Sequence, residues 1–292
     1  MISHKKKRLI FTIHISPEDL GKYFGTTELK MGNLDLFANT LQYKQQQYAE
    51  ACEADYRVYK FGDKFVEFTE KLWGYNIFEE YYQSMQHYKI YLLEELTKEY
   101  EEVLYLDLDV WPASLVNIFE EIDVNDGIAI RGFADDRPKD IKSLKEGWLH
   151  YVPIPRSVST KTALMKALCD LYNIECNTDV VFNTGITLAN EDHMNKLDYF
   201  GDVESIRDDI LKLRKETKFF ANYIYCMFRF NNESVFSYLL FKNEVKWQHL
   251  DEKWHWVSNH RNHGEKHPED VNFVHVINKQ FPNIIGLDNK YY

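Results

Sequence analysis

The chain is poor in the residues that staple, link or anchor a protein. It has four cysteines in 292 residues, Cys52, Cys169, Cys176 and Cys226, and no two of them form a Cys-x-x-Cys pair. That spacing excludes a dense disulfide framework and a cysteine-based structural zinc site, and a reducing, cytoplasmic setting is expected. Seven prolines and twelve glycines are spread without a Pro/Gly/Ser-rich stretch, so no linker, low-complexity tract or internal repeat divides the chain. Long apolar runs are missing too. Nothing approaches the roughly 18 uninterrupted apolar residues of a membrane-crossing helix. The apolar stretch 9–15 behind the first basic residues is short, holds His14 and leads to no small-residue cleavage site, so it does not read as a signal peptide.

Positive charge is also in deficit. There are 46 acidic against 35 basic residues, a formal net charge of −11. Nucleic-acid binding rests on Lys and Arg at phosphates, so this balance argues against it. Lys5, Lys6, Lys7 and Arg8 form the one basic run, which reads as a solvated segment before the first strand. What the chain does have is apolar content, 45% of its residues, enough for one sizeable core. One domain over 1–292 is expected, with a first half over about 1–125 and a second over about 126–292.

Strand and helix patterns alternate through the first 107 residues. Residues 8–15 are a near-continuous apolar run, as in a strand buried on both faces. Ser16 is placed to cap a helix N-terminus, with Pro17, Glu18 and Asp19 suited to its first turn. A helix is expected over 33–54, a strand over 56–61, and a helix over 77–98, in which apolar residues from Phe78 to Leu96 step by three or four. Residues 103–106 are all apolar, the pattern of a central parallel strand. Beyond it, a short helix is expected near 115–120, a strand over 127–132 and a helix over 161–172. A strand over 180–189 is read as interrupted by a turn at Asn183, Thr184 and Gly185. Helices over 203–215 and 233–241 and a strand over 273–277 follow. This order predicts an α/β fold with an open, mainly parallel sheet flanked by helices.

The chemistry-bearing segment is Asp107, Leu108 and Asp109, directly past the apolar strand. Ligands of open α/β sheets bind outside the carboxyl ends of the strands. Two carboxylates there suit Mg²⁺ or Mn²⁺, which keep positions open for water and substrate phosphates. Taken alone, such a triplet is usually a solvated turn; its place after the apolar strand brings the metal reading level with that one.

Residues 102–109 read Glu-Val-Leu-Tyr-Leu-Asp-Leu-Asp. That segment resembles the metal-binding segment of GT-A-fold nucleotide-diphosphosugar glycosyltransferases, and of glycosyltransferase family 8 in particular. Three more segments are similar in the same order: Tyr-Leu-Leu-Glu-Glu-Leu at 91–96, Val-Phe-Asn-Thr-Gly-Ile-Thr-Leu at 181–188, and Val-His-Val-Ile-Asn-Lys-Gln-Phe-Pro at 274–282. The resemblance spans nearly the whole chain. It implies a GT-A-type, Rossmann-like sheet with a C-terminal acceptor-side elaboration. It also implies transfer of a hexose or pentose from a UDP-sugar to a glycan or protein acceptor, with retention, aided by Mn²⁺ or Mg²⁺.

Residue by residue, the resemblance implies that Asp107 lies near the donor's ribose or sugar and the metal, that Asp109 ligates the metal directly, and that His275 is the third protein ligand. Lys279 would meet the diphosphate. Asn183 and Gly185 would line the donor-sugar pocket, with the small Gly185 allowing close approach. Thr12 and His14 would sit near the nucleotide base. From its own surroundings, Glu233 is either a carboxylate facing donor or acceptor, or part of an Asn232–Glu233 helix start. His275 is equally readable as an ordinary strand residue, and Lys279 as a surface lysine. His255, His260, His263 and His267 match no structural zinc spacing and read as loop residues. Trp247, Trp254 and Trp256 are either a sugar-stacking platform or packed core.

Three function classes remain. An inverting transferase on the same fold would add a positioned general base. A non-catalytic sugar-nucleotide-binding module would keep the fold and lose the chemistry. A nucleotidyltransferase would want a Gly-rich basic loop after the first strand, whereas this chain has Ile15, Ser16, Pro17, Glu18, Asp19 and Leu20 there.

Overall fold

The computed structural model describes residues 6–16, 18–19, 34–73, 81–134, 160–176, 178–216, 230–258, 266–277 and 279–286. In chain order the elements are β1 (Arg8–His14), α1 (Leu34–Ala51), β2 (Asp55–Lys60), α2 (Asp63–Trp73), α3 (Tyr81–Thr97), β3 (Glu102–Leu106) and β4 (Val110–Pro112). Then come α4 (Ile118–Glu121), β5 (Ile128–Ala134), α5 (Thr160–Leu171), β6 (Val180–Ala189), α6 (Glu191–Leu197), α7 (Val203–Glu216) and α8 (Asn232–Lys242). The last are β7 (Trp247–His249), β8 (Trp256–Val257), β9 (Phe273–His275) and α9 (Phe281–Ile285). Two compact units contain them. The first takes in Met1–Arg131, Gly185–Glu191 and Trp247–Tyr292, and the second Gly132–Thr184 and Asp192–Lys246. Strands β5 and β6 each begin in one unit and end in the other.

A six-stranded sheet runs in the order β2-β1-β3-β6-β5-β7, and a three-stranded sheet in the order β4-β9-β8. In the large sheet β1 lies parallel to both β2 and β3, and β5 parallel to β7, while β3 pairs antiparallel with β6. The α/β class and the mainly parallel sheet are as the sequence pattern predicts. Every residue of β3 is buried, which is why it reads as an unbroken apolar run. At the edge, β2 has only exposed and half-buried positions along Asp-Tyr-Arg-Val-Tyr-Lys, as fits a strand paired on one side only.

Helix α1 buries Phe37, Leu41, Gln45 and Tyr48 at three- and four-residue steps, so one stripe faces the sheet. Two apolar clusters result in the first unit. One joins Ile10, Leu104, Leu106, Ile186 and Leu188 to Tyr48, and the other joins Phe37 and Leu41 to Val274, Val276 and Phe281. In the second unit α5 packs on α8, and the Tyr172 and Tyr238 rings lie 5.5 Å apart. Cys52, Cys169 and Cys176 are free thiols. No helix among the described residues is long and apolar enough to cross a membrane.

Two expectations are corrected. Strand β6 is continuous from Val180 to Ala189, with no turn at Asn183, Thr184 and Gly185. Thr184 and Gly185 stay in the strand because neighbours satisfy them: Asn232 Nδ2 donates to Thr184 Oγ1 at 2.8 Å, and the Gly185 carbonyl accepts from Asp107 N at 2.7 Å. Helix α8 starts one residue early. Its cap is Asn231, whose side chain accepts from Glu233 N and Ser234 N, leaving Asn232 inside the helix. The Ser16 cap is present, with Oγ accepting from Asp19 N at 3.1 Å. Phe78, Cys226, His260, His263 and all of residues 135–155 lie outside the described residues.

Candidate metal centre

The Asp107–Asp109 triplet leaves β3 as a tight turn fixed at its backbone. Val110 N donates back to Asp107 O at 2.9 Å, and Asp107 N donates to Gly185 O at 2.7 Å on β6. Gln45, fully buried on α1, donates through Nε2 to Asp107 O at 3.0 Å and to Val110 O at 2.9 Å, while its Oε1 accepts from Tyr56 at 3.1 Å. A buried amide with three partners is stabilising, and losing it would leave Asp107 O with the bond from Val110 N and take a partner from Val110 O. Past the turn, β4 pairs antiparallel with β9, placing Val110 opposite His275. Val276 N then donates to Asp109 O at 2.9 Å. The ladder thereby carries a histidine from the far end of the chain to the two carboxylates.

One oxygen of each carboxylate faces a cation and the other faces His275. Asp107 Oδ1 accepts from Tyr105 Oη at 2.5 Å and from Lys89 Nζ at 3.2 Å. Asp107 Oδ2 lies 3.6 Å from His275 Nε2. Asp109 Oδ2 is paired with Lys279 Nζ, and its Oδ1 lies 3.5 Å from His275 Nε2. One ligand atom from each of Asp107, Asp109 and His275 can be chosen so that all lie within 4.8 Å of one another. Two hard oxygens and one imidazole nitrogen make a donor set that fits Mn²⁺ or Mg²⁺. The separations from His275 are long for direct hydrogen bonds, which suits ligands that share a cation.

Burial works to raise the Asp109 carboxyl, but Lys279 and His275 outweigh it and hold the group well below the usual carboxylate range. It is therefore ionised at neutral pH although only 5% exposed. Lys89 is 2% exposed, an ammonium whose burial is tolerable because Asp107 pairs with it. Lys279 sits at φ 57°, the left-handed region that a β-carbon disfavours. Its backbone N donates to Val276 O at 3.0 Å and its ammonium pairs with Asp109, contacts that hold the strained residue at the site.

Gly185 is required by this packing. A β-carbon there would stand 2.8 Å from both Asp107 Oδ2 and His275 Nδ1, closer than side-chain carbons approach. His14, at the carboxyl end of β1 beside β3, is held by Asp35 Oδ1 at 3.1 Å and by Gln42 Nε2 at 2.9 Å. Thr12 is buried, with its Oγ1 lacking a hydrogen-bond partner among the described residues. The structure thus brings together Asp107, Asp109, His275, Lys279 and Gly185. Asn183 and Glu233 belong to the second unit. There Asn183 is half-buried on β6, and Glu233 opens α8 and pairs with Lys161.

Sequence reasoning missed Lys89, Tyr105 and Gln45, whose roles depend on contacts across 2 to 65 residues. Tyr105 is the one with a local signal, since period two along β3 puts it on the same face as Asp107. His255 was expected in a loop, and so it is, but it is fully buried against His275. Trp254 and Trp256 pack into the two cores of the first unit, so these two form no exposed platform.

No protein-family model matches the chain, and no curated protein matches it. Solved structures do match. A glycosyltransferase involved in the glycosylation of the major capsid of PBCV-1 shares 13% identity at TM-score 0.42, over 94% of each chain. Mouse xyloside xylosyltransferase 1, apo form, shares 14% at TM-score 0.47, over 94% of this chain and 98% of that one. Galactosyltransferase LgtC, in complex with donor and acceptor sugar analogues, shares 13% at TM-score 0.41, over 92% and 87%.

Proposed function

We propose that this chain is a metal-dependent GT-A-type glycosyltransferase that takes a hexose or pentose from a UDP-sugar and passes it, with retention, to a glycan or protein acceptor. The observation that carries the reading is the convergence of Asp107 Oδ2, Asp109 Oδ1 and His275 Nε2 just past the carboxyl end of a buried central strand. Asp107, Asp109 and His275 would hold Mn²⁺ or Mg²⁺, which would supply Lewis-acid neutralisation of the charge that develops on a leaving diphosphate. Lys89 and Tyr105 both hold Oδ1 of Asp107 and so fix which oxygen faces inward, so little reorganisation is needed when the donor binds. Lys279, an ammonium beside Asp109, is positioned to meet phosphate oxygens.

Thr12 and His14, on the strand neighbouring β3, are proposed for the nucleotide base. Asn183 and Glu233 are proposed from the sequence for the sugar and the acceptor, and their variants test them separately. UDP, retention and family 8 membership rest on the quoted sequence resemblance.

A screen of UDP-, GDP- and CMP-sugars with Mn²⁺, read as released nucleotide, tests the reaction. Release from a UDP-sugar that stops in EDTA is expected. Full activity in EDTA sinks the metal role. In a thermal-shift assay, UDP with Mn²⁺ at 100 times its dissociation constant stabilises a binding protein by about 2.7 kcal/mol. A shift without any release identifies a non-catalytic sugar-nucleotide-binding module instead. Retention is read from the anomeric configuration of the product by NMR.

A further inference from the structure

His255 is more tightly built in than a loop residue needs to be. It is fully buried, between the core residues Trp254 and Trp256. Its backbone N donates to Asp251 O at 2.9 Å, its carbonyl accepts from Arg131, and Asp251 Oδ1 tightens the preceding turn by accepting from Lys253 N at 3.0 Å and Trp254 N at 3.2 Å. The following strand β8 runs parallel to β9, pairing Val257 with His275. As a result the His255 and His275 rings lie 5.3 Å apart at 25°, with His255 Nε2 3.0 Å from His275 Nδ1.

Two facing imidazole nitrogens at that distance share one proton. If His255 donates it, a neutral His275 carries its own proton on Nε2, the atom that faces Asp107 and Asp109, and has no lone pair to offer there. If His255 accepts it, His275 is protonated on Nδ1 and Nε2 is free to act as a ligand. The metal reading selects the second arrangement, because Nε2 is the His275 atom that faces Asp107 and Asp109.

We infer that His255 is a positioning residue: it accepts the Nδ1–H of His275, fixing the ring orientation and tautomer that aim Nε2 at the two carboxylates. This rests on the metal reading proposed above. Outer partners of metal-bound histidines are usually carboxylates, carbonyls or water. Here a second, buried imidazole takes that place.

The test is Mn²⁺ affinity, from the EPR signal of free Mn²⁺, with the imidazole-nitrogen modulation of bound Mn²⁺ as the spectroscopic signature. Four proteins are compared: wild type, His255→Leu, His255→Gln and Asp109→Asn. Leu fills the space without an acceptor, whereas the Gln carbonyl can accept the same N–H. His255→Leu is expected to lose about 10–100-fold in affinity, the range for outer-shell partners, together with the nitrogen modulation. His255→Gln is expected to keep both. Wild-type affinity and modulation in His255→Leu overturn the inference, as do equal losses in folded Leu and Gln variants. If bound Mn²⁺ is lost in Asp109→Asn but held by His255→Leu, the inference alone falls. If wild type binds no Mn²⁺, the metal reading falls and takes the inference with it. In Mg²⁺-loaded wild type, long-range ¹H–¹⁵N correlation is expected to show the His275 proton on Nδ1. A proton on Nε2 overturns the inference whether or not the variants fold.

Discussion

Two carboxylates, one in each unit, make an instructive pair. Asp109 and Glu233 are similarly buried, at 5% and 9% exposed, and each is paired with a lysine. Their surroundings differ. Asp109 follows a central strand, its backbone oxygen is held by Val276, and a second carboxylate and an imidazole face it. Glu233 sits in the first turn of α8, where Asn231 caps the helix and Lys161 reaches in from α5 with 42% of its side chain exposed. Carboxylates are favourable at a helix N-terminus whether or not they do chemistry. A carboxylate converging with a second one and a histidine has no such structural reason to exist. The comparison teaches that burial and a lysine partner do not by themselves mark a site; convergence of ligand atoms does.

The strongest way to break the comparison is Asp109→Asn. Removing a direct ligand is expected to weaken Mn²⁺ binding by more than the about 10–100-fold typical of outer-shell partners, with sugar-nucleotide turnover lost alongside. Calorimetric titration and nucleotide release check it. The same variant has a pH signature. Asp109 titrates lower in the folded state than unfolded. Its contribution to stability is therefore complete at neutral pH and fades as pH falls below about 4. Melting temperatures of Asp109→Asn should decline less steeply with acid than those of wild type. An equally steep decline places that sensitivity on other groups.

Next in size is Gly185→Ala. The added β-carbon crowds Asp107 and His275 together, and overpacking of this kind costs about 1–3 kcal/mol. Denaturant unfolding should show that loss, with weaker Mn²⁺ binding alongside. Unchanged stability would mean that His275 swings aside freely. In the second unit the effects are smaller. Asn231→Ala removes the cap of α8 and should cost about 1 kcal/mol in the same unfolding assay. Lys161→Met, which removes a half-exposed partner of Glu233, should cost at most about 1 kcal/mol. A loss from Lys161→Met as large as that from Gly185→Ala would erase the distinction drawn between the two carboxylates.

Much of the fold was readable because its signals are local. An all-apolar run such as 103–106 can satisfy its side chains only between two covered faces, and the steps of α1 through Phe37, Leu41 and Tyr48 repeat with the helix period. The short β4, β7 and β8 escaped notice, since two or three residues carry no period. The turn expected at residues 183–185 failed for a related reason. Asn, Thr and Gly are turn formers in isolation, but here Thr184 finds a partner on α8 and the Gly185 carbonyl one at Asp107.

The candidate centre divides along the same line. The sequence by itself determined that two carboxylates follow a buried strand, one residue apart, because strand burial and the direction of the chain are written in consecutive residues. Only the tertiary structure decided what meets them. Lys279 reaches Asp109 across 170 positions, and His275 arrives through the β4–β9 ladder. Lys89 and Gln45 come from helices α3 and α1, and His255 from the loop before β8. These contacts depend on register and packing between segments remote in sequence, and no local pattern of residue types encodes such a register.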